Sequence, residues 1–393
     1  MNTTSHVYLD YAATTPVDSR VVEAMLPYFN DEFGNPSSIH YFGQKAEAAL
    51  ENARENVANC FHCDPDEIIF TSCGTESDNL ALRGAALAER EKRGATHILT
   101  TPVEHHAVLH TVFNLARYDG FDVELLPVDA NGLVNPVEVN RRIRKETALV
   151  SVIFANNEIG SIYPVEEIGR VCREWSTPFH TDAVQAVAHL PIDVRALNID
   201  LMSVGAHKFY GPKGVGALYV RRGIQVIPVQ TGGAQEFGLR AGTQNIPYIV
   251  GMAIALRLIQ EERSPWTAFI TPIRDRIISR VLADIPQVRL TGHPTNRLPN
   301  HVSFVFEGVD ANTLLMMLDS AGFACSSGSA CKTGSPEPSG VLLALGLSPS
   351  LALGSLRVTL GQYTTSSEVD AFLAVLPGLV ERTRVLTAGV ERS

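Results

Sequence analysis

Two residues in this 393-residue chain have the chemistry of covalent catalysis and a setting that would use it. Lys208 lies in GAHKFYGPKG, residues 205–214, between two runs that read as buried strands, Ile199 to Val204 and Gly214 to Val220. A lysine shielded at such a turn loses part of its preference for charge, and its neutral amine forms a Schiff base with an aldehyde. A solvated turn lysine is the plainer alternative. Cys331 lies in ACSSGSACKTGSPEPSG, residues 324–340, a run of glycines and serines with almost no apolar anchor. That composition implies a mobile, exposed loop, and packing does not account for a cysteine there.

Upstream, FHTDAVQ (residues 179–185) places Asp182 at the end of a short strand and Gln185 three residues on. A pyridoxal phosphate ring needs a carboxylate at its nitrogen to act as an electron sink, and Gln185 suits the ring's phenolic oxygen. Gly74 and Thr75, in CGTESDN between a strand (Ile68 to Thr71) and a helix (Leu80 to Arg93), aim backbone N–H groups and a hydroxyl at one point, an anion cradle. Thr75 and Ser77 also serve as plain helix caps.

These motifs resemble the pyridoxal-phosphate cysteine desulfurases of the class V aminotransferase superfamily, in the subgroup with a long active-site cysteine loop. The resemblance spans Tyr8 to about Val369. It implies the fold type I transferase architecture: a mainly parallel seven-stranded α/β sheet flanked by helices, with a smaller α/β carboxyl-terminal domain. It assigns Gly74, Thr75 and His207 to the cofactor phosphate. His105, directly after Glu104 in TPVEHHAV, stacks on the ring and shuttles protons. Asn157 in ANNEIG orients cofactor or substrate, and Thr243 in RAGTQN reaches the phosphate of a neighbouring subunit, which implies a homodimer. Cys331 ends the motif SSGSAC and is the persulfide-forming residue. Arg357, in the buried-looking SLRVTLG, calls for a carboxylate partner, either a structural acid or, as the resemblance implies, the α-carboxylate of L-cysteine. Selenocysteine lyase and aminotransferase share this fold and are the alternatives. Relatives carry a phosphate-binding serine where this chain has Gly205, so backbone N–H groups or another hydroxyl must stand in.

The elements that position these residues alternate strand and helix from residue 68 to about 262. Thr75, His105, Asn157, Asp182 and Lys208 all fall at or just after expected strand ends, where open α/β sheets bind ligands. The expected division is an arm (1–20) associated with the small domain, a large cofactor-binding domain (21–262) and a small domain (263–393) with the cysteine loop. Helix is expected from Pro247 to Glu262, with the boundary near Arg263 to Trp266.

Composition sets outer bounds. A formal charge of −10 argues against direct nucleic-acid binding, and no apolar run approaches a membrane span. No signal peptide is evident, so a cytoplasmic protein is expected. The six cysteines do not suggest a disulfide framework, and Cys60 and Cys63 are a redox pair, half a zinc site or incidental. His106 and His110 share a helical face without a third ligand, so no metal is expected. Cys325 reads as a bystander or a resolving thiol. The charge of Lys332 favours a Cys331 thiolate, unless it is only a solvated loop lysine. The expected partners are L-cysteine, a second copy of the chain, and sulfur acceptors such as an iron–sulfur scaffold or a tRNA-thiolation protein.

Overall fold

The structure is a computed structural model that describes residues 6–328 and 337–390, with side chains through residue 388. Cys331 and Lys332 therefore lie outside the described residues. The amino-terminal arm gives a short strand, β1 (Val7–Tyr8). Seven strands then build one sheet: β2 (Ile68–Thr71), β3 (His97–Thr100), β4 (Asp122–Leu125), β5 (Thr147–Ser151), β6 (Phe179–Asp182), β7 (Leu201–Gly205) and β8 (Gly216–Val220). Their order is β2-β8-β7-β6-β5-β3-β4, parallel except for β8, which runs antiparallel to β2 and β7. Every residue of the six strands other than β4 is buried, as expected for a sheet covered on both faces. Edge strand β4 keeps Asp122 and Leu125 exposed.

The helix after β2 begins at Gly74, six residues before the expected Leu80, and runs to Arg93. A Cβ on Gly74 would stand 2.7 Å from Val184 Cγ2, so only glycine lets the first turn approach the segment after β6 this closely. Thr75 and Asp78 thereby belong to the helix's opening turns.

The carboxyl-terminal part holds β9 (Val288–Leu290), β10 (His301–Phe306), β11 (Phe323–Ala324) and β12 (Ser355–Thr359). Strands β12-β10-β9 form an antiparallel sheet, and β11 pairs in parallel with β1. Val7 and Leu9 share an apolar core with Phe304, Leu356 and Phe372, separate from the core of the large sheet. The helix expected to stop at Glu262 continues unbroken from Ile246 to Asp284. Its early turns, with Met252 and Leu256, pack on the first core, and its late turns, with Ile270 and Ile277, on the second. The polar run Glu261-Glu262-Arg263 reads as an ending because the helix there is in transit between cores and has no apolar face to show. No helix among the described residues is long and apolar enough to cross a membrane.

Candidate active site

Lys208 closes a 3-10 turn (Ala206–Lys208) between β7 and β8. Its Nζ donates to Ala12 O at 2.6 Å and Ala13 O at 2.8 Å, so the arm supplies the seat of the amine. The arm is held there in turn, because Thr15 N–H binds His207 O at 2.9 Å and Thr15 Oγ1 accepts from Tyr210 N–H at 2.8 Å. Burial, and next the Arg357 charge, bring the Lys208 pKa down to about 8.

Asp182, at the end of β6, is buried and accepts Val184 N–H at 2.9 Å. Burial raises its pKa, and the charges of His105 and Lys208 oppose that rise. Gln185, three residues on, donates to the same Ala12 O at 2.8 Å. His105 caps the helix His106–Asp119, its Nδ1 accepting from Ala107 N–H at 3.1 Å. In the neutral ring the proton therefore sits on Nε2. Burial lowers the His105 pKa, while Asp182 pulls it back up.

The start of the helix Gly74–Arg93 has no side-chain cap, so its first N–H groups stay available to an anion. Gly205 contributes by lacking a side chain: a Cβ there would stand 3.4 Å from Gly74 N. Ser203 cannot replace the missing serine, since its hydroxyl is committed to His180 Nε2 at 3.0 Å. Among the described residues the hydroxyl that meets the His207 ring is that of Thr14, whose Oγ1 lies 3.2 Å from His207 Nδ1. Burial brings His207 down to about 4, which leaves a neutral ring with one N–H to donate.

Arg357, almost wholly buried on β12, meets a structural acid. Its Nη2 binds Asp10 Oδ1 at 2.8 Å and its Nη1 binds Asn157 O at 3.0 Å, while Nε has no hydrogen-bond partner among the described residues. Asp10 also accepts from Ser326 Oγ at 2.7 Å. One acid of the arm thus joins the arginine to the strand end that leads toward Cys331.

Lys208 and Gln185 share Ala12 O, and the charges of Asp182, His105 and Arg357 act on Lys208 or are acted on by it, so these five side chains are neighbours. Asn157 O holds Arg357, His207 adjoins Lys208 in the chain, and Gly74, with Thr75 next in the same helical turn, abuts Gly205. Thr243 does not join them within the chain: it is exposed and bonds to none of them. Sequence reasoning missed Asp10, Thr14, Asp78 and the carbonyls of Ala12 and Ala13. Asp78 brings a ligand atom within 4.8 Å of those of His105 and Asp182, and burial and the Asp182 charge raise its pKa well above normal. An acid inside the apolar arm YLDYAA was the available signal for Asp10. Glu104 is a buried strut, its Oε1 accepting from Thr101 Oγ1 at 2.8 Å and Ile153 N–H at 2.9 Å, and burial raises it to about 8.

Burial holds the Cys60, Cys63, Cys172 and Cys325 thiols protonated. The Cys60 and Cys63 thiols are pushed up to about 11 and about 12 by burial, unlike a redox pair, and burial also raises Cys325.

The donor set fits pyridoxal phosphate: an amine of lowered pKa for the aldehyde, a buried carboxylate for the ring nitrogen, and an uncapped helix start for the phosphate. The description "Aminotransferase class-V" matches residues 7–372. The chain is 49% identical to the cysteine desulfurase IscS of Methanosarcina thermophila, over 96% of this chain and 93% of that one. It is 47% identical to the IscS of Dictyoglomus turgidum, over 97% and 96%. A solved NifS-like protein superposes with a TM-score of 0.88 at 38% identity, over 96% of this chain and 99% of the other. These names do not favour the selenocysteine lyase or aminotransferase alternatives.

Proposed function

We propose, for a chain that belongs to the aminotransferase class-V family and is a pyridoxal-phosphate-dependent cysteine desulfurase, that Lys208 and Cys331 divide the work on L-cysteine between them. The observation that carries this reading is Lys208 itself, an amine of lowered pKa within electrostatic reach of both Asp182 and Arg357.

Lys208 would hold the cofactor's aldehyde carbon and Asp182 its ring nitrogen. Gln185 would hold the phenolic oxygen, and Gly74, Thr75 and His207 the phosphate. Once bound, pyridoxal phosphate supplies an electron sink for charge developing at the substrate Cα. Arg357 and Asn157 receive the substrate carboxylate, which shares the guanidinium with Asp10 or takes its place. Freed from covalent duty, the Lys208 amine takes the Cα proton. The Cys331 thiolate attacks the substrate sulfur: an S–S bond forms as the Cβ–S bond breaks, and the bonding pair stays with the carbon skeleton. His105 delivers protons, and the products are L-alanine and a persulfide on Cys331. The persulfide sulfur passes to acceptors, for which an iron–sulfur scaffold or a tRNA-thiolation protein is the reading we adopt.

Cys331→Ser tests the division of labour. The variant should bind cofactor with an unchanged absorbance band, yet release no sulfide from L-cysteine and gain no sulfur by mass spectrometry. Sulfide release at the wild-type rate would remove Cys331 from the mechanism.

The working form we propose is a cytoplasmic homodimer with a large lobe to about residue 262 and a small lobe beyond it. Exposed Phe33, Ile39, Tyr41 and Phe42 support the dimer, as does Thr243, exposed and without a side-chain hydrogen bond among the described residues. The free state of all five described cysteines suits a reducing compartment.

A further inference from the structure

The turn between β5 and the following helix (Val165–Glu174) carries Asn157, and next to it Glu158, which the mechanism above leaves unused. The turn is rigidly held. Asn156 Oδ1 accepts from the N–H groups of Glu158 at 2.8 Å and Ile159 at 3.0 Å, while its Nδ2 donates to Val103 O at 2.8 Å. Asn157 O accepts from Arg357 Nη1 and is 3.0 Å from His301 Nε2.

On this fixed base, one carboxylate oxygen of Glu158 meets both flanks of the segment that contains Cys331. Glu158 Oε2 accepts from Ser339 Oγ, and Ser339 caps the helix Gly340–Ala344 through Leu342 N–H at 3.2 Å. On the other flank, a Cβ on Gly328 would stand 3.1 Å from the same Oε2, and Gly328 N–H binds Ser355 Oγ at 3.2 Å. Gly328 and Ser339 therefore meet at a single acid of the large lobe.

We propose that Glu158 is a positioning residue that bonds one flank of the Cys331 segment, at Ser339, and packs against the other, at Gly328, fixing both to the turn carrying Asn157 and so setting where the thiol is delivered relative to bound substrate. The inference rests on Cys331 being the sulfur acceptor. Burial raises the Glu158 pKa to about 7, against the opposing pull of the Ser339 hydrogen bond and the Arg357 charge. Of the neighbouring charged or titratable groups, Arg357 on β12 is paired with Asp10, and His301 on β10 is kept neutral by burial. Glu337 beyond the segment is exposed. Above about pH 7 an ionised Glu158 accepts strongly from Ser339; below it the neutral acid accepts weakly.

The test uses holoenzyme and iodoacetamide, with alkylation of Cys331 followed by peptide mass spectrometry. Glu158→Ala and Ser339→Ala should each change the alkylation rate by about threefold or more, the worth of one hydrogen bond. Both should lower kcat with little change in KM for L-cysteine and none in the cofactor absorbance band. Glu158→Gln keeps the acceptor and should match wild type near about pH 6 and depart from it above about pH 8, where only wild type carries the charge. Should Glu158→Ala fail to retain cofactor, Ser339→Ala carries the test. Wild-type alkylation rates and kcat in Ser339→Ala, together with a flat ratio of Glu158→Gln to wild type across pH, would overturn the proposal. Persulfide formation in Cys331→Ser would instead remove the reading beneath it, so the two failures are distinct.

Discussion

At the residue scale, the decisive feature is how the arm treats Lys208. Two carbonyls solvate the ammonium while burial and Arg357 oppose it, and the balance falls at about 8, well below an ordinary lysine near ~10.4. The neutral amine is the reactive form, so the rate at which apoenzyme attaches pyridoxal phosphate should climb through about pH 8 and then level off. Lys208→Ala should show no attachment at any pH. A rate still climbing at about pH 10 would show that Lys208 titrates as an ordinary solvated lysine. The identities of Lys208, Asp182 and Gln185 were legible because a cofactor demands those functional groups in that order. Asp78 was not, and Asp10 showed only as an acid within an apolar arm: one acid among many takes on a role only when its neighbours are known. Arg357 called for a carboxylate, and Asp10 met that need through a contact across almost the whole chain.

At the element scale, the segment before Thr243 is locked by a buried ion pair. Glu236 and Phe237 both adopt left-handed backbone, with φ of 45° and 57°, an uncommon conformation for side chains of their size. The strain is held by Arg54, whose two terminal nitrogens each bind a Glu236 carboxylate oxygen at 2.9 Å. The guanidinium lies 4.9 Å from the Phe70 ring and 5.0 Å from that of Phe237. Glu236 Oε2 also accepts from Phe70 N–H at 2.8 Å. Arg54→Ala leaves a buried carboxylate without its counter-charge, and should lower unfolding stability by about 3–5 kcal/mol in denaturant titration. A loss below about 1 kcal/mol would mean that the segment keeps its shape by other contacts. Arg54 lies on the helix Tyr41–Phe61, and nothing local to it in the sequence points to an acid 182 positions away.

At the scale of the whole molecule, the core that holds Met252 and Leu256 and the core that holds Ile270 and Ile277 are joined by one long helix and by an arm that places Val7 and Leu9 in the second. The exposed apolar group about Ile39, at 92% exposure, and Tyr41, at 66%, is the surface we assign to the second copy. Ile39→Asp combined with Tyr41→Asp should shift sedimentation from the proposed dimer to monomer and weaken cofactor retention, since in that assignment Thr243 serves the neighbouring copy's site. Wild-type enzyme sedimenting as a monomer at micromolar concentration would end that assignment. Sequence alone determined the alternating architecture and the chemistry of the cleft, since strand periodicity and the functional groups a cofactor requires are local properties of the chain. It could not determine that the long helix runs on past Glu262, that Asp10 faces Arg357, or that Glu158 stands between Gly328 and Ser339. Each of these depends on which distant surfaces become neighbours after burial, and only the packed tertiary structure settles that.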